Sequence, residues 1–426
     1  MLIDFTVKNY CSIKDPITIS ALATSIKEHP NCIIHLPREK EIKLLNSIVI
    51  YGPNASGKSN TINALNDFKT YIIESTDLKI DDEIPCYKPF RLDKKCLTQP
   101  TEFEIEFVIK RQIRYKYSIV FDAYEVLKEV LLFYPKGKES TLFVRESGKI
   151  MYFGNQFRGP ARMIEKQLLK NTLFLSKAAN SNNELLSEVY RYFKDRIAFD
   201  TPARKFINFT TILCKENNSQ IKKKVNDFIK AADIGIEFIN IIKTEQVEDE
   251  HLKWVSDDIK KILIENKKFR PKMFHKQFDN NQEIGTVAFD LQEESGGTVK
   301  LYDLSGELIH CLQNGLTYVA DELNNSLHPS LMNFIIQLFQ NPKTNPNKAQ
   351  LIFVTHDTSI LKADNFRRDQ IWFTEKDEFG ATKLYSMSDF DYRKVRSQIP
   401  FDHWYLSGRF GALPITGNLD KWFENA

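Results

Sequence analysis

The sequence predicts an α/β fold: a core of mostly parallel strands, an antiparallel β subdomain, and a helical insertion between the two halves of the core. Three observations predict it. A short, wholly apolar run, Ser47–Tyr51, enters a glycine-rich turn and then a stretch of helical period. From Glu102 onward apolar and polar residues alternate with period two over several successive segments. In the last third, apolar strand-like runs alternate with helix-like ones, which is the pattern of a parallel sheet.

Taken in order, residues 2–7 place Ile3, Phe5 and Val7 on one side, which predicts an opening strand. After the glycine-rich turn, Ile62, Leu65, Phe68 and Ile72 recur at helical spacing. Phe103, Ile105, Phe107 and Ile109 alternate with Glu102, Glu104 and Glu106, and RYKYSIVF, EVLKEVLLFY and STLFVRES follow at short intervals, so a meander is expected. Residues 159–268 read as mostly helical and lysine-rich. The expected division is therefore 1–158 for a first lobe, 159–268 for the insertion and 269–426 for a second lobe. The second lobe is expected to run strand TVAFDL, helix, strand LTYVAD, helix from Ser330, strand QLIFVT.

Composition sets the outer bounds. Of 426 residues, 42% are apolar and 27% charged, as in a soluble globular protein. The net charge of +3 is too small to argue for nucleic acid, so any basic surface must be local. Six cysteines lie scattered without CxxC spacing, which disfavours a zinc site or disulfide framework and fits a reducing, cytoplasmic compartment. The first residues have no apolar leader core, and no run approaches the roughly 20 apolar residues of a membrane helix.

Two motifs carry chemistry by themselves. Residues 52–59, GPNASGKS, match GxxxxGK[ST] between an apolar strand and a helix. There the backbone of Gly52, Pro53, Asn54, Ala55, Ser56 and Gly57 curls around phosphates, with Asn60 just inside the helix. Lys58 is expected to reach the β and γ phosphates of ATP, and Ser59 to ligate magnesium. LTYVADE ends an apolar strand in two acids: Asp321 is expected to hold the magnesium, and Glu322 to orient an attacking water. Two further segments are suggestive by order: Glu294-Ser295-Gly296-Gly297-Thr298 one helix before that strand, and His356 one helix and one strand after it.

In this order the motifs resemble those of ABC-type ATPases. ESGGT resembles the signature loop, which in that family binds the γ-phosphate of nucleotide held by the opposite subunit; the resemblance gives Ser295, Gly296 and Gly297 that role. His356 resembles the switch histidine at the γ-phosphate, and NSLHP the loop that crosses to the partner. The resemblance implies an ABC-type P-loop ATPase head that pairs as a homodimer, or higher oligomer, around sandwiched ATP.

Within the soluble SMC/RecF/OLD-like branch, LIDFTVKNYCSIKD, DELNNSLHPSL, FVTHDTSIL, FRRDQIWF, GATKLYSMSDF and YLSGRFGALP resemble the RloA-like and AbiLi-like abortive-infection ATPases, relatives of AriA of the PARIS system. That resemblance implies anti-phage defence and a Toprim-type RloB-like nuclease as partner. A DNA-repair or DNA-maintenance ATPase of the RecF/SMC kind is the rival reading, and a long coiled coil, absent here, would favour it. The chain departs from its relatives at Asn324 and Asn325, where an acid or small residue is common.

Weaker signals remain. Lys222, Lys223 and Lys224, and Lys260, Lys261, Lys267, Lys268, Arg270 and Lys272, suit either nucleic acid or a solvated helix face, with the balance toward the latter. Gln99, within 90–100, is the candidate for the Q-loop glutamine that ABC transporter cassettes show after the first lobe. Arg367 and Arg368 suit nucleotide sensing and pairing with Asp364 or Asp369 equally. YLSGRFGALP suggests a docked loop, against a partner or the chain itself.

Overall fold

A computed structural model describes residues 1–37, 41–109, 113–135, 137–157, 160–200, 208–215, 219–232, 235–243, 268–390 and 400–414. Strand β1 (Leu2–Lys8) pairs antiparallel with β2 (Ile17–Ser20), and a small hairpin follows, β3 (Ile33–His35) with β4 (Lys43–Leu45). Strand β5 (Ser47–Tyr51) runs through the phosphate-loop sequence into helix α1 (Lys58–Glu74). The expected meander then forms: β6 (Thr101–Val108), β7 (Arg114–Phe121), β8 (Val126–Tyr134) and β9 (Ser140–Glu146), with β10 (Lys149–Phe153) added at its edge. These strands join β1 and β2 in a seven-stranded sheet of order β10-β9-β8-β7-β6-β1-β2.

The period-two alternation decides which face is wet. On the outer face Glu104 pairs with Lys116 at 2.7 Å and Glu106 with Arg114 at 2.9 Å. On the inner face the ring of Phe68, from α1, lies 5.2 Å from that of Phe103 and stacks on Tyr117 at 5.8 Å. The meander thus covers one side of α1.

The stretch expected to be helical is mixed. It holds α2 (Ala161–Lys166), α3 (Phe174–Asn180), α4 (Glu184–Arg196), α5 (Phe209–Lys215) and α6 (Ser219–Ala231), but also strands β11 (Ile197–Phe199) and β12 (Ile236–Lys243). Strand β11 pairs in parallel with β15 (Thr317–Ala320) and so belongs to the core sheet. Strand β12 joins β13 (Phe269–Asp279) and β14 (Gln282–Asp290) in a separate antiparallel sheet. Lys260, Lys261 and Lys267 lie outside the described residues. Lys272 pairs with Asp290 at 2.8 Å, and Lys222 donates to Asn240, so these two cations are engaged within the chain.

The second lobe alternates as expected: α7 (Gly296–Asn314), β15, α8 (Pro329–Gln340), β16 (Gln350–Val354), β17 (Ile371–Lys376), β18 (Thr382–Ser386) and α9 (Phe401–Leu406). The core sheet has the order β11-β15-β16-β5-β17-β18, parallel except for β18. Strand β5 is buried throughout because both its faces are covered, which is why its three central residues are Ile48, Val49 and Ile50. Ile48 and Ile50 enter the core shared with α1 and the meander, while Val49 and Tyr51 enter the core shared with α7 and α8. The YLSGRFGALP segment docks on the chain's own sheet: Phe410 stacks on Phe373 at 5.5 Å and Tyr405 Oη donates to the Ala412 carbonyl.

Candidate nucleotide-binding site

Parallel strands point their carboxyl ends the same way, and loops there form the crevice that binds ligands in such sheets. Strands β15, β16 and β5 are neighbours, so the turns after them lie side by side. The first turn is the phosphate loop. It needs glycine at two places: Gly57 has φ 106°, and a β carbon there would stand 2.1 Å from Thr382 Oγ1; a β carbon at Gly52 would meet Thr374 Oγ1 at 2.4 Å. The loop is tied from behind by residues distant in sequence. Ser56 Oγ bonds Thr374 Oγ1 at 2.6 Å, Thr382 Oγ1 donates to the Ser56 carbonyl at 2.9 Å, and Ser12 Oγ bonds Thr382 Oγ1 at 2.8 Å. The Asn60 side chain, expected at the nucleotide, donates to Ser12 Oγ at 2.7 Å. Asn54, Ala55 and Ser59 are exposed, and Pro53 is half-buried.

Lys58 is buried and curls back over the loop, where its ammonium donates to the carbonyls of Gly52 and Pro53 at 2.8 Å each. Burial lowers its pKa to about 8 against the pull of Asp321 and Glu322 toward the charged form. Asp321, at the exit of β15, has a buried Oδ1 with no hydrogen-bond partner among the described residues. An unpartnered buried carboxylate oxygen beside a lysine, with the exposed Ser59 on the phosphate loop, is the hard oxygen set that magnesium takes. The donors fit the metal.

Glu322 follows with φ 50°, a left-handed conformation that costs a side-chain-bearing residue roughly 1–2 kcal/mol. His356, beyond β16, brings Nε2 to 3.7 Å from Glu322 Oε1. Burial, then the nearby Lys58 charge, pushes the His356 pKa below its ordinary value despite Glu322 and Asp321, so the imidazole stays neutral further into acid. The structure thus gathers Lys58, Asp321, Glu322 and His356 at one end of the sheet.

Ser295 caps α7, its Oγ accepting from Thr298 N at 3.2 Å, and Ser295 and Gly296 are exposed. A β carbon at Gly296 would meet nothing within 4 Å, whereas one at Gly297 would come to 2.9 Å from the Ser326 carbonyl oxygen. Their bonds and closest approaches run to Thr298 and to the turn after Glu322, not to residues 52–60 of the same chain. Glu294 is anchored to His275 Nε2 at 2.7 Å.

Against these positions the family comparison is specific. Residues 47–362, from the start of β5 to beyond His356, match the model of the family described as "AAA domain, putative AbiEii toxin, Type IV TA system". The chain belongs to this family. It is an AAA-type ATPase domain, and the matched span contains the phosphate loop, the acids after β15 and His356.

Among solved structures, this AAA domain is similar to the SMC head domain from Thermotoga maritima, at 14% identity and a TM-score of 0.41, with 90% of this chain and 98% of that one covered. It is also similar to an Smc head bound to the C-winged helix domain of ScpA, at 13% identity and TM-score 0.44, covering 92% and 98%. A third is an Smc head with an extended coiled coil bound to the C-terminal domain of ScpA derived from Pyrococcus furiosus, at 12% identity and TM-score 0.42, covering 92% and 97%. No curated protein matches the chain.

Other candidates resolve as structure. Arg367 is fully buried and grips Asp369 with two bonds, Nε at 2.9 Å and Nη2 at 2.7 Å, so pairing rather than nucleotide sensing accounts for it. Gln99 is exposed, and its backbone carbonyl accepts from Asn9 Nδ2 at 2.8 Å. Sequence reasoning missed Ser12, Thr374 and Thr382, because nothing in their spacing links them to residues 52–60. No described helix is long and apolar enough to cross a membrane.

Proposed function

We propose that this AAA domain hydrolyses ATP with magnesium at a site completed by a second copy of the chain. One observation carries the reading. Lysine, an unpartnered aspartate oxygen, and a glutamate–histidine pair 3.7 Å apart converge beside the phosphate loop, while Ser295 and Gly296 of the signature-like loop lie exposed. In this reading Lys58 and the loop N–H groups hold the β and γ phosphates. Ser59 and Asp321 hold magnesium, which when bound neutralises charge on the phosphate oxygens. Glu322 Oε1 takes a proton from the attacking water, whose oxygen bonds to the γ-phosphorus as the bond to the ADP oxygen breaks. His356, neutral, is placed to donate to or accept from a γ-phosphate oxygen or that water. Ser295 and the N–H of Gly297 stabilise the γ-phosphate held by the partner copy, a reading supported by their bonds and close approaches running to Thr298 and Ser326 rather than to their own phosphate loop.

The experiment compares phosphate release by wild type and Glu322→Gln, with the mass of each measured with and without ATP. The expected outcome is slow turnover in the wild type, a loss of about 10²–10⁴-fold in the variant, and an ATP-dependent dimer that the variant accumulates. A wild type without turnover, or a variant monomeric at saturating ATP, ends the reading. The family's description as a putative AbiEii toxin supports a role in abortive infection; control of a Toprim-type nuclease effector is what the sequence resemblance implies. Cells carrying the native locus should lose protection from phage on Lys58→Ala substitution; unchanged protection would remove that role.

A further inference from the structure

Asn324 and Asn325 occupy the turn between Glu322 and helix α8; the Asn325 side chain bonds Glu322, and the Asn324 side chain bonds Thr355, the residue before His356. Asn325 holds Glu322 twice: its backbone N–H donates to the Glu322 carbonyl at 3.0 Å, and Nδ2 donates to Glu322 Oε2 at 2.7 Å. With Oε2 taken by the amide, Oε1 is the carboxylate oxygen turned toward His356 Nε2. Asn324 reaches the adjacent strand instead. Its Oδ1 accepts from Thr355 Oγ1 at 2.8 Å, and that same Oγ1 accepts from the N–H of Asp357 at 3.0 Å. The residues on both sides of His356 are therefore tied to the turn that carries Glu322.

A left-handed glutamate persists only where its surroundings impose it. Here Asn325 bonds both the Glu322 carbonyl and its carboxylate, and an amide suits that place because it offers a donor and an acceptor without adding charge beside a carboxylate.

We propose that Asn325 and Asn324 are positioning residues for hydrolysis. Asn325 orients the Glu322 carboxylate so that one oxygen is free for water, and Asn324 sets the His356 turn at the matching distance. The inference rests on the reading of Glu322 as the base that activates water.

The test measures turnover, KM and ADP affinity for Asn325→Ala and Asn325→Asp, each in the wild-type and Glu322→Gln backgrounds, with single-turnover phosphate release for the slow variants. Asn325→Ala is expected to lower kcat about tenfold with KM and ADP affinity within about twofold, since misplacing a catalytic group costs rate rather than binding. Asn325→Asp, which sets a second anion against Glu322, is expected to lower it further. In the Glu322→Gln background the alanine substitution should change kcat less than about twofold, because the group it positions is already disabled. Asn324→Ala should show the same dependence on His356, losing rate in the wild type and nothing further in His356→Ala. An equal fold-loss in both backgrounds, or a loss confined to KM and ADP affinity, overturns the positioning role. If Glu322→Gln itself turns over at the wild-type rate, the base assignment fails first and takes this inference with it.

Discussion

The joint between the meander and α3 and the turns at the carboxyl ends of the core strands both contain charged side chains, and they treat them in opposite ways. In the joint, Glu129 and Arg145 are fully buried. Glu129 Oε1 accepts from Tyr117 Oη at 2.8 Å and Leu175 N at 2.9 Å, and Oε2 accepts from Phe174 N at 2.8 Å and Arg145 Nη1 at 3.3 Å. Arg145 also donates to the carbonyls of Thr172, Leu169 and Lys170. The carboxylate thus stands at the amino end of α3, where the free N–H groups and helix dipole favour an anion. At the carboxyl ends of the core strands the charges are left wanting. Asp321 Oδ1 has no partner among the described residues, Lys58 finds only two loop carbonyls, and Glu322 sits in a strained backbone. In the joint the Glu129 carboxylate is saturated by four donors and only Arg145 Nε lacks a partner among the described residues, whereas at the strand ends the acid itself, at Asp321 Oδ1, is left without a donor.

The sharpest way to break this comparison is to remove a saturated charge. Glu129→Ala leaves Arg145 buried without its counter-ion, and chemical denaturation should report a loss of about 3–5 kcal/mol. A loss under about 1 kcal/mol would mean that the joint is not held by this pair. The complementary change is Lys58→Met at the ligand end. It should cost roughly 2–5 kcal/mol of ATP binding by calorimetry while leaving neutral-pH stability undiminished. Unfolding of Lys58→Met at lower denaturant would place that lysine with the structural charges instead.

A smaller effect is expected where the two roles meet, behind the phosphate loop. Thr382→Val removes the hydroxyl that joins Ser12 to the Ser56 carbonyl, and it should lower stability by about 1 kcal/mol and weaken ATP binding as the loop loosens. An unchanged affinity would show the loop to be rigid without that tie. The smallest signal is a pH dependence. The folded protein holds Lys58 at about 8, below its ordinary 10.5, so between those values the unfolded chain binds more protons and stability rises with pH. The cost of burying the charge is complete below about pH 8 and gone above about 10.5. The stability gap between Lys58→Met and wild type should therefore close across that window, by a few kcal/mol at most. A gap constant with pH would refute the depressed lysine.

Periodicity and short motifs made much of this legible in advance. The strand–loop–helix of residues 47–74, the meander from Thr101, and the strands ending at Ala320 and Val354 all follow from apolar spacing, which is local. The same locality explains the failures. Residues 197–199 are too few for any period to announce, and they become a strand only because β15 lies alongside to pair with them. Arg367 could not be assigned because its partner, Asp369, and the carbonyls of Ile26 and Glu28 converge on it only after folding.

By itself, the sequence determined the phosphate loop, the acids after β15 and the alternation of strands and helices, since each is written in residues a few positions apart. Tertiary structure alone decided which distant side chains close on that site. Ser12 and Thr382 meet behind the loop from 370 positions apart, and Asn324 finds Thr355 across a strand boundary. Such contacts depend on the order of strands in the sheet, and strand order is a property of packing rather than of neighbouring residues.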